Sequence, residues 1–256
     1  LLQSVFVLLD FGDTISLELR PDGTVARLSN SPDIPEEADL AVRAAKLLQR
    51  EFGVHGGVNI SVEKRIPMGG GLGGGSSDAA TVLLALNRLW RTDLSNQRLR
   101  AIGLSLGADV PFFVKGRDAW AEGVGETLHA VDVPAWWYLV LAPAVSVPTP
   151  FAFQHPELTR NSIPLKIADF SASRLADTRN DLQAVVVKAF PAVAASLAAL
   201  QAVSQKSVFG ARMTGSGACV FAAFESGEDA RNALAQLPPE HTGFVAKGLK
   251  KHPLCD

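Results

Sequence analysis

The chain has 256 residues, a net charge of −2 and a pI near 6.2, with 47% apolar and 20% charged residues. That balance excludes global disorder and describes an ordinary globular chain, long enough for one big domain or two modest ones. No long basic run supports a nucleic-acid or acidic-membrane partner, no apolar run reaches the roughly 18 residues of a membrane span, and Cys219 and Cys255 are too few for a disulfide framework or thiolate cage. A reducing, cytoplasmic setting is expected.

Residues Leu1 to Leu28 are predicted as β structure, alternating on both sides of the Pro21-Asp22-Gly23 turn signal. The chain opens at Leu1 without methionine, inside a strand-like run, so a lost beginning is expected. A helix follows over "DLAVRAAKLLQREF", with Gly53 as its C-terminal cap. "VNISVEKRI" reads as a strand carrying Val58, Ile60 and Val62 on one face. A buried helix then starts near Ser76 and presents Ala79, Ala80, Val82, Leu83, Leu86, Leu89 and Trp90. Ser95 caps the next helix, which ends near Leu106. "GADVPFFV" and "AWAEGVGETLHAV" are predicted as loop and strands. The pattern changes near Asp132 to Pro134, which divides the chain into an N-terminal domain over 1–131 and a C-terminal domain over 132–256. The second half is predicted as a long helix from Asp181 to Ser204 interrupted at Pro191, a strand pair around a glycine turn, a helix and a last strand, the order of an α+β sandwich.

Between the predicted strand "VNISVEKRI" and the Ser76 helix stands "PMGGGLGGGSSDAAT", Pro67 to Thr81. Glycine loses the most backbone freedom on folding, so this cluster needs a use. A linker would have polar, unstructured flanks, whereas this segment joins a strand to an amphipathic helix. A tight turn needs one or two glycines, so the surplus points to backbone that approaches something closely. Strand, glycine loop and helix N-terminus together make a phosphate cradle, with unpaired N–H groups and the positive dipole end facing the loop. The Walker pattern fails because Ser76, not lysine, follows Gly75. A dinucleotide pattern matches Gly69, Gly71 and Gly74, but the strand ending in an acidic residue that should follow is missing.

The proline-led form P-x-x-x-G-L-G-x-x-S-S of the GHMP kinases resembles this stretch from Pro67 through Ala80. "LGADVPFFV", "AEGVGE", "VPTPFAF", "MTGSGACVFAAF" and "GFVAKG" follow in the order of one branch, whose substrate is a cytidyl diphosphate-linked polyol of the non-mevalonate isoprenoid route. The resemblance implies an α+β, two-domain GHMP kinase fold, with a ribosomal S5 domain 2-like N-terminal domain and a ferredoxin-like C-terminal domain. It implies ATP as phosphoryl donor, with Mg²⁺, and a small-molecule alcohol as acceptor. Pro67, Met68, Gly69, Gly70, Gly71, Leu72, Gly73, Gly74, Gly75, Ser76 and Ser77 would then bind ATP.

Asp109 alone reads as a capping or turn carboxylate; through the resemblance it becomes the catalytic base that accepts the alcohol proton. Phe153 would stack on cytosine with Thr149 lining the same pocket, and Gly215, Ser216 and Gly217 would close over the phosphates from the second domain. Asp78 is favourable in a first helical turn without any ligand and is left out of the site. Cys219 is expected to pack as a small apolar residue. His55, His129, His155, His241 and His252 show no ligand spacing and are expected at the solvated surface; Trp90, Trp136 and Trp137 are expected in core or interface. The family's first motif, Pro-Ala-Lys, and its Tyr-His pair are absent from the sequence, so the lysine that stabilises the transferring phosphoryl is expected upstream of Leu1. Asp39 stands where the family usually has asparagine. A monomer or weak dimer is expected. The competing readings are a non-catalytic nucleotide sensor on the same fold, another GHMP kinase such as homoserine or mevalonate kinase, and an S5-like RNA binder, which the acidic balance disfavours.

Overall fold

The computed structural model describes residues 2–28, 34–167 and 170–255, with the backbone alone at 172–174. The predicted β region begins at Leu1, one residue outside that range. It holds β1 (Leu2–Phe6), β2 (Leu8–Leu9), β3 (Thr14–Arg20) and β4 (Val25–Arg27). The turn at Pro21-Asp22-Gly23 does not close a hairpin. Strand β5 (Gly57–Glu63) inserts between β3 and β4, antiparallel to the first and parallel to the second.

Helix α1 (Leu40–Phe52) starts where the Asp39 carboxylate accepts from the Ala41 N–H at 2.9 Å, and it ends at Gly53 in the left-handed conformation, φ 61°. Arg27 pairs with Asp39 at 3.0 Å and fixes this start on β4. Helix α2 (Gly74–Leu89) begins two residues before Ser76. Its Ala79, Ala80, Val82, Leu83 and Leu86 pack with Ala41, Ala44, Ala45 and Leu48 of α1 over Val58 and Ile60 of β5. Truncating a leucine in such a core costs about 2–5 kcal/mol. Leu89, expected on this face, is exposed at the helix end.

Helix α3 (Asn96–Leu104) is capped by Ser95, whose hydroxyl accepts from the Arg98 N–H. The stretch expected as loop and strand, "VPFFV", is instead helix α4 (Val110–Lys115). Pro111 lies in its first turn, where a missing N–H costs nothing, and Gly116 closes it at φ 67°. With Val110, Pro111, Phe112 and Val114 all buried, the run has no polar face from which a period is legible. Strands β6 (Ala119–Gly123) and β7 (Thr127–Ala130) complete a sheet of order β1-β6-β7.

After a run without regular structure at 131–136 come β8 (Trp137–Leu141), α5 (Thr149–Gln154), α6 (Gln183–Ala189), α7 (Pro191–Val203), β9 (Phe209–Met213), β10 (Val220–Phe224), α8 (Gly227–Ala235) and β11 (Gly243–Leu249). The chain bends by 117° between α6 and α7 at Pro191. The sheet order β2-β11-β8-β10-β9 contains the ferredoxin-like arrangement of β8 to β11, with β2 of the first half added at its edge. Residues of α7 and α8 (Val193, Leu200, Ala230 and Ala233) cover one face over Leu139, Leu141, Val220 and Phe224. The other face (Tyr138, Val140 and Ala223) receives Val5, Val7, Leu9 and Leu72 from the first half. Leu72 belongs to the glycine loop, so this apolar face seats the loop on the second sheet. The result is a two-domain α+β fold, as expected. Among the described residues no helix is long and apolar enough to cross a membrane.

Candidate active site

The glycine loop runs between β5 and α2, with Gly69, Gly71 and Gly73 at φ 66°, 71° and 69°. Most of its glycines have a neighbour in the protein as their cause. A Cβ at Gly70 would lie 2.5 Å from the Cys219 sulfur, and one at Gly71 would lie 2.5 Å from the Thr214 carbonyl and 2.9 Å from that of Gly217. At Gly73 the Phe113 ring stands 2.9 Å away, and at Gly74 the Ile66 side chain 3.0 Å. The close approach expected from the sequence is therefore, at Gly70 and Gly71, to the turn between β9 and β10. That turn donates Ala218 N–H to Gly69 O (3.3 Å), Cys219 N–H to Gly70 O (3.0 Å) and the Thr214 hydroxyl to Gly71 O (3.1 Å). Cys219 is buried as expected, and burial pushes its thiol up to about 12.

Gly75 differs. It is exposed, it lies in the first turn of α2, and a Cβ added there would meet only Leu40 Cδ1, at an ordinary 3.6 Å. Alanine is the better helix former at such a place. The fold gives no reason for glycine there. Helix α2 also begins without a side-chain cap, since Gly73 occupies the cap position. Its first N–H groups therefore face the loop, as an anion site requires.

Asp109 stands directly before α4, but its side chain makes no capping hydrogen bond. Its Oδ2 lies 3.9 Å from the Cβ position of Gly73, and its Oδ1 lies 3.8 Å from that of Gly125 in "AEGVGE". Three sequence blocks thus meet around one carboxylate, and burial raises its pKa above the ordinary aspartate value. The Ser76 hydroxyl lies 3.6 Å from the Cβ position of Gly107, in the turn that leads from α3 to Asp109. Ser77 donates its N–H to Gly73 O within the helix. Met68 is exposed at the loop tip, next to Pro67.

The expected substrate residues also converge. Thr149 begins α5 and its hydroxyl lies 3.2 Å from that of Ser216, in the β9–β10 turn. Phe153 follows one helical turn after Thr149, on the same side of α5. Phe153 is 39% exposed, whereas Phe151 packs edge-on against Phe190 at 5.3 Å and joins the second core. Gly215 approaches the Gly71 carbonyl, 3.2 Å from its Cβ position. Sequence reasoning missed Asn180, whose amide donates to the carbonyls of Met213 and Gly215 at 2.9 and 2.8 Å and pins this turn. No local pattern marks it, because its partners lie more than thirty residues away. Asp78, left out of the site, pairs with Lys64 at 2.9 Å; burial moves its pKa up to about 6 against that pairing. Three histidines depart from full solvation: His155 is half-buried with its ring edge-on to Phe151, His241 is half-buried beside Ser196, and burial lowers the pKa of His252.

Family models for the GHMP kinases N terminal domain and the GHMP kinases C terminal match residues 39–117 and 166–241, together more than half the chain. The chain belongs to the GHMP kinases. It is 56% identical to a 4-diphosphocytidyl-2-C-methyl-D-erythritol kinase of Thiobacillus denitrificans, over all of this chain and 89% of that protein. It is 54% identical to one of Aromatoleum aromaticum, over 99% of this chain and 87% of that protein. Among solved structures it resembles a 4-(cytidine 5'-diphospho)-2C-methyl-D-erythritol kinase with a TM-score of 0.81 and 34% identity, covering 96% of this chain and 89% of the other. A homoserine kinase from Cytophaga hutchinsonii shares the fold at a TM-score of 0.70 and 17% identity, over 96% and 89% of the two chains.

Proposed function

We propose that the protein is an ATP-dependent kinase that phosphorylates the 2-hydroxyl of 4-diphosphocytidyl-2-C-methyl-D-erythritol, in the non-mevalonate route to isopentenyl diphosphate. The observation that carries this reading is the 56% identity to a kinase of that name over the whole chain. The site supports it residue by residue. The loop from Pro67 to Ser77 receives the triphosphate on backbone N–H groups and the positive end of α2. Gly75 leaves room for that approach. Asp109, held beside the loop and free of a capping bond, orients the 2-hydroxyl and accepts its proton as phosphoryl transfer proceeds. Burial keeps this carboxylate more basic than in water, which favours proton acceptance. Phe153 offers a ring face to cytosine, Thr149 and Ser216 line the same wall, and Gly215 and Gly217 close over the phosphates.

Mg²⁺ is part of this reading as the ion that accompanies ATP. Among the described residues no three His, Cys, Asp or Glu side chains gather into a metal cage. That fits an ion held chiefly by phosphates and water with one or two protein oxygens. The hydroxyls of Ser76 and Ser77 stand at the helix start where such an ion would lie. The enzyme is read as cytoplasmic, acting on small molecules as a monomer or weak dimer. An ADP-release assay with the cytidyl substrate tests the activity; an absence of turnover in the full-length protein, with nucleotide binding intact, returns the chain to a nucleotide sensor.

A further inference from the structure

We infer that Asp13 is a positioning residue for the nucleotide site: one buried carboxylate latches both ends of the glycine loop. The inference rests on the loop being the triphosphate cradle. Asp13 lies in the turn between β2 and β3, its side chain 1% exposed. Its Oδ1 accepts from the Arg65 N–H at 2.6 Å and from the Ile66 N–H at 2.8 Å, and its Oδ2 takes a short bond from the Lys64 ammonium. Three consecutive residues immediately before Pro67 are thereby fixed to one side chain. Lys64 also donates to Asp78 at 2.9 Å, and Asp78 sits in α2 just past the loop. Entry and exit of the loop are joined through the Asp13–Lys64–Asp78 triad.

Asp13 is itself anchored to the second half of the chain. Asp10 exchanges two hydrogen bonds with the backbone of Lys247 in β11, through its N–H at 2.8 Å and its carboxylate at 2.6 Å. Phe11 stacks on Phe244 with ring centroids 3.8 Å apart, and the Arg65 guanidinium lies 4.7 Å over the Phe11 ring. The loop therefore has a tether independent of its contacts with the β9–β10 turn. Gly69, Gly71 and Gly73 have no side chains with which to hold their own conformations. A loop already fixed at both ends has less freedom to lose when the phosphates arrive, so its affinity is higher.

A structural role and a positioning role separate because Asp13 touches the loop ends and stands outside the apolar clusters. The test is calorimetric titration of the full-length protein, its Asp13→Ala and its Asp13→Asn, with a non-hydrolysable ATP analogue and, separately, with the cytidyl substrate. We expect Asp13→Ala to bind the ATP analogue at least about tenfold more weakly, since bonds to a charged acceptor are the stronger class. Cytidyl substrate affinity should stay within about threefold. Asp13→Asn keeps an oxygen for Arg65 and Ile66 but loses the charge facing Lys64, so its nucleotide loss should be smaller and its substrate affinity unchanged. Equal losses for both ligands, or unchanged nucleotide affinity, overturn the inference. If Asp13→Ala does not fold, Asp13→Asn decides, with unchanged nucleotide affinity as the contrary result. A wild-type protein that binds no ATP analogue refutes the cradle itself, and the inference with it.

Discussion

Two glycines of the same loop should respond in opposite ways to one added methyl group. At Gly71 the backbone is left-handed, φ 71°, and the new carbon would lie 2.5 and 2.9 Å from two carbonyl oxygens, which are backbone and cannot swing away. Strain in that region costs about 1–2 kcal/mol for a residue with a Cβ. Pushing the turn away also weakens three hydrogen bonds, to the carbonyls of Gly69, Gly70 and Gly71, at roughly 0.5–1.5 kcal/mol each. Gly71→Ala should therefore lose roughly 2–6 kcal/mol, which lowers Tm by about 5–20 °C in a chain of this size. At Gly75 the methyl meets only Leu40 at 3.6 Å and the site is helical. Gly75→Ala should gain about 0.5 kcal/mol, less than the interior helix value because the site is in the first turn. Its Tm should rise slightly, while affinity for an ATP analogue falls about tenfold or more. Scanning calorimetry and titration on the same preparations give both numbers. A Gly75→Ala protein with unaltered nucleotide affinity refutes the reasoning, because Gly75 is then a glycine without a use.

Asp109→Asn should lower kcat by about 10²–10⁴-fold with the KM for ATP nearly unchanged; a loss under tenfold makes Asp109 a structural carboxylate. Phe153→Ala should raise the KM of the cytidyl substrate roughly ten- to hundredfold and leave Tm and the KM for ATP in place, whereas Phe151→Ala should lower Tm. Asp118, buried where its carboxylate accepts from the Leu8 N–H, has its pKa pushed up to about 6 by burial. The native state thus holds this proton more tightly than the unfolded chain does. Stability from this group is present below about pH 4, declines as pH rises through 6, and leaves a constant penalty on the order of 2–3 kcal/mol above that. Asp118→Asn removes the titration, so its Tm relative to wild type should climb between pH 4.5 and 7.5; a pH-independent difference contradicts the assignment.

Elements whose signals are local were legible in the sequence. The Gly53 cap, the apolar face of α2 from Ala79 to Leu86 and the Ser95 cap are each set within a few residues, and each is where the pattern puts it; only Leu89, at the helix end, falls outside. Helix α4 was not legible, because a run buried on nearly every side carries no period. The insertion of β5 between β3 and β4 was not legible either, since a turn signal says that the chain reverses but not what it pairs with. The same division holds at the site. The glycine loop announces itself by composition and order, whereas Asp109 and Phe153 are picked out only through the family resemblance. Asn180 and Asp13 are legible in neither way, because each acts on backbone groups that only the fold brings near. The glycines were legible as glycines that something approaches; that Gly70 and Gly71 meet the β9–β10 turn, Gly69 Ser146, Gly73 Phe113 and Gly74 Ile66 is a fact of the fold alone.

The central claim is the identity of the alcohol that receives the phosphoryl group. Its most direct test is ADP release by the full-length protein, coupled to a spectroscopic readout, with ATP and each of three acceptors: 4-diphosphocytidyl-2-C-methyl-D-erythritol, homoserine and mevalonate. Turnover with the first alone is the expected result. Turnover with homoserine or mevalonate in its place would contradict the account, because the fold would then be right and the substrate wrong.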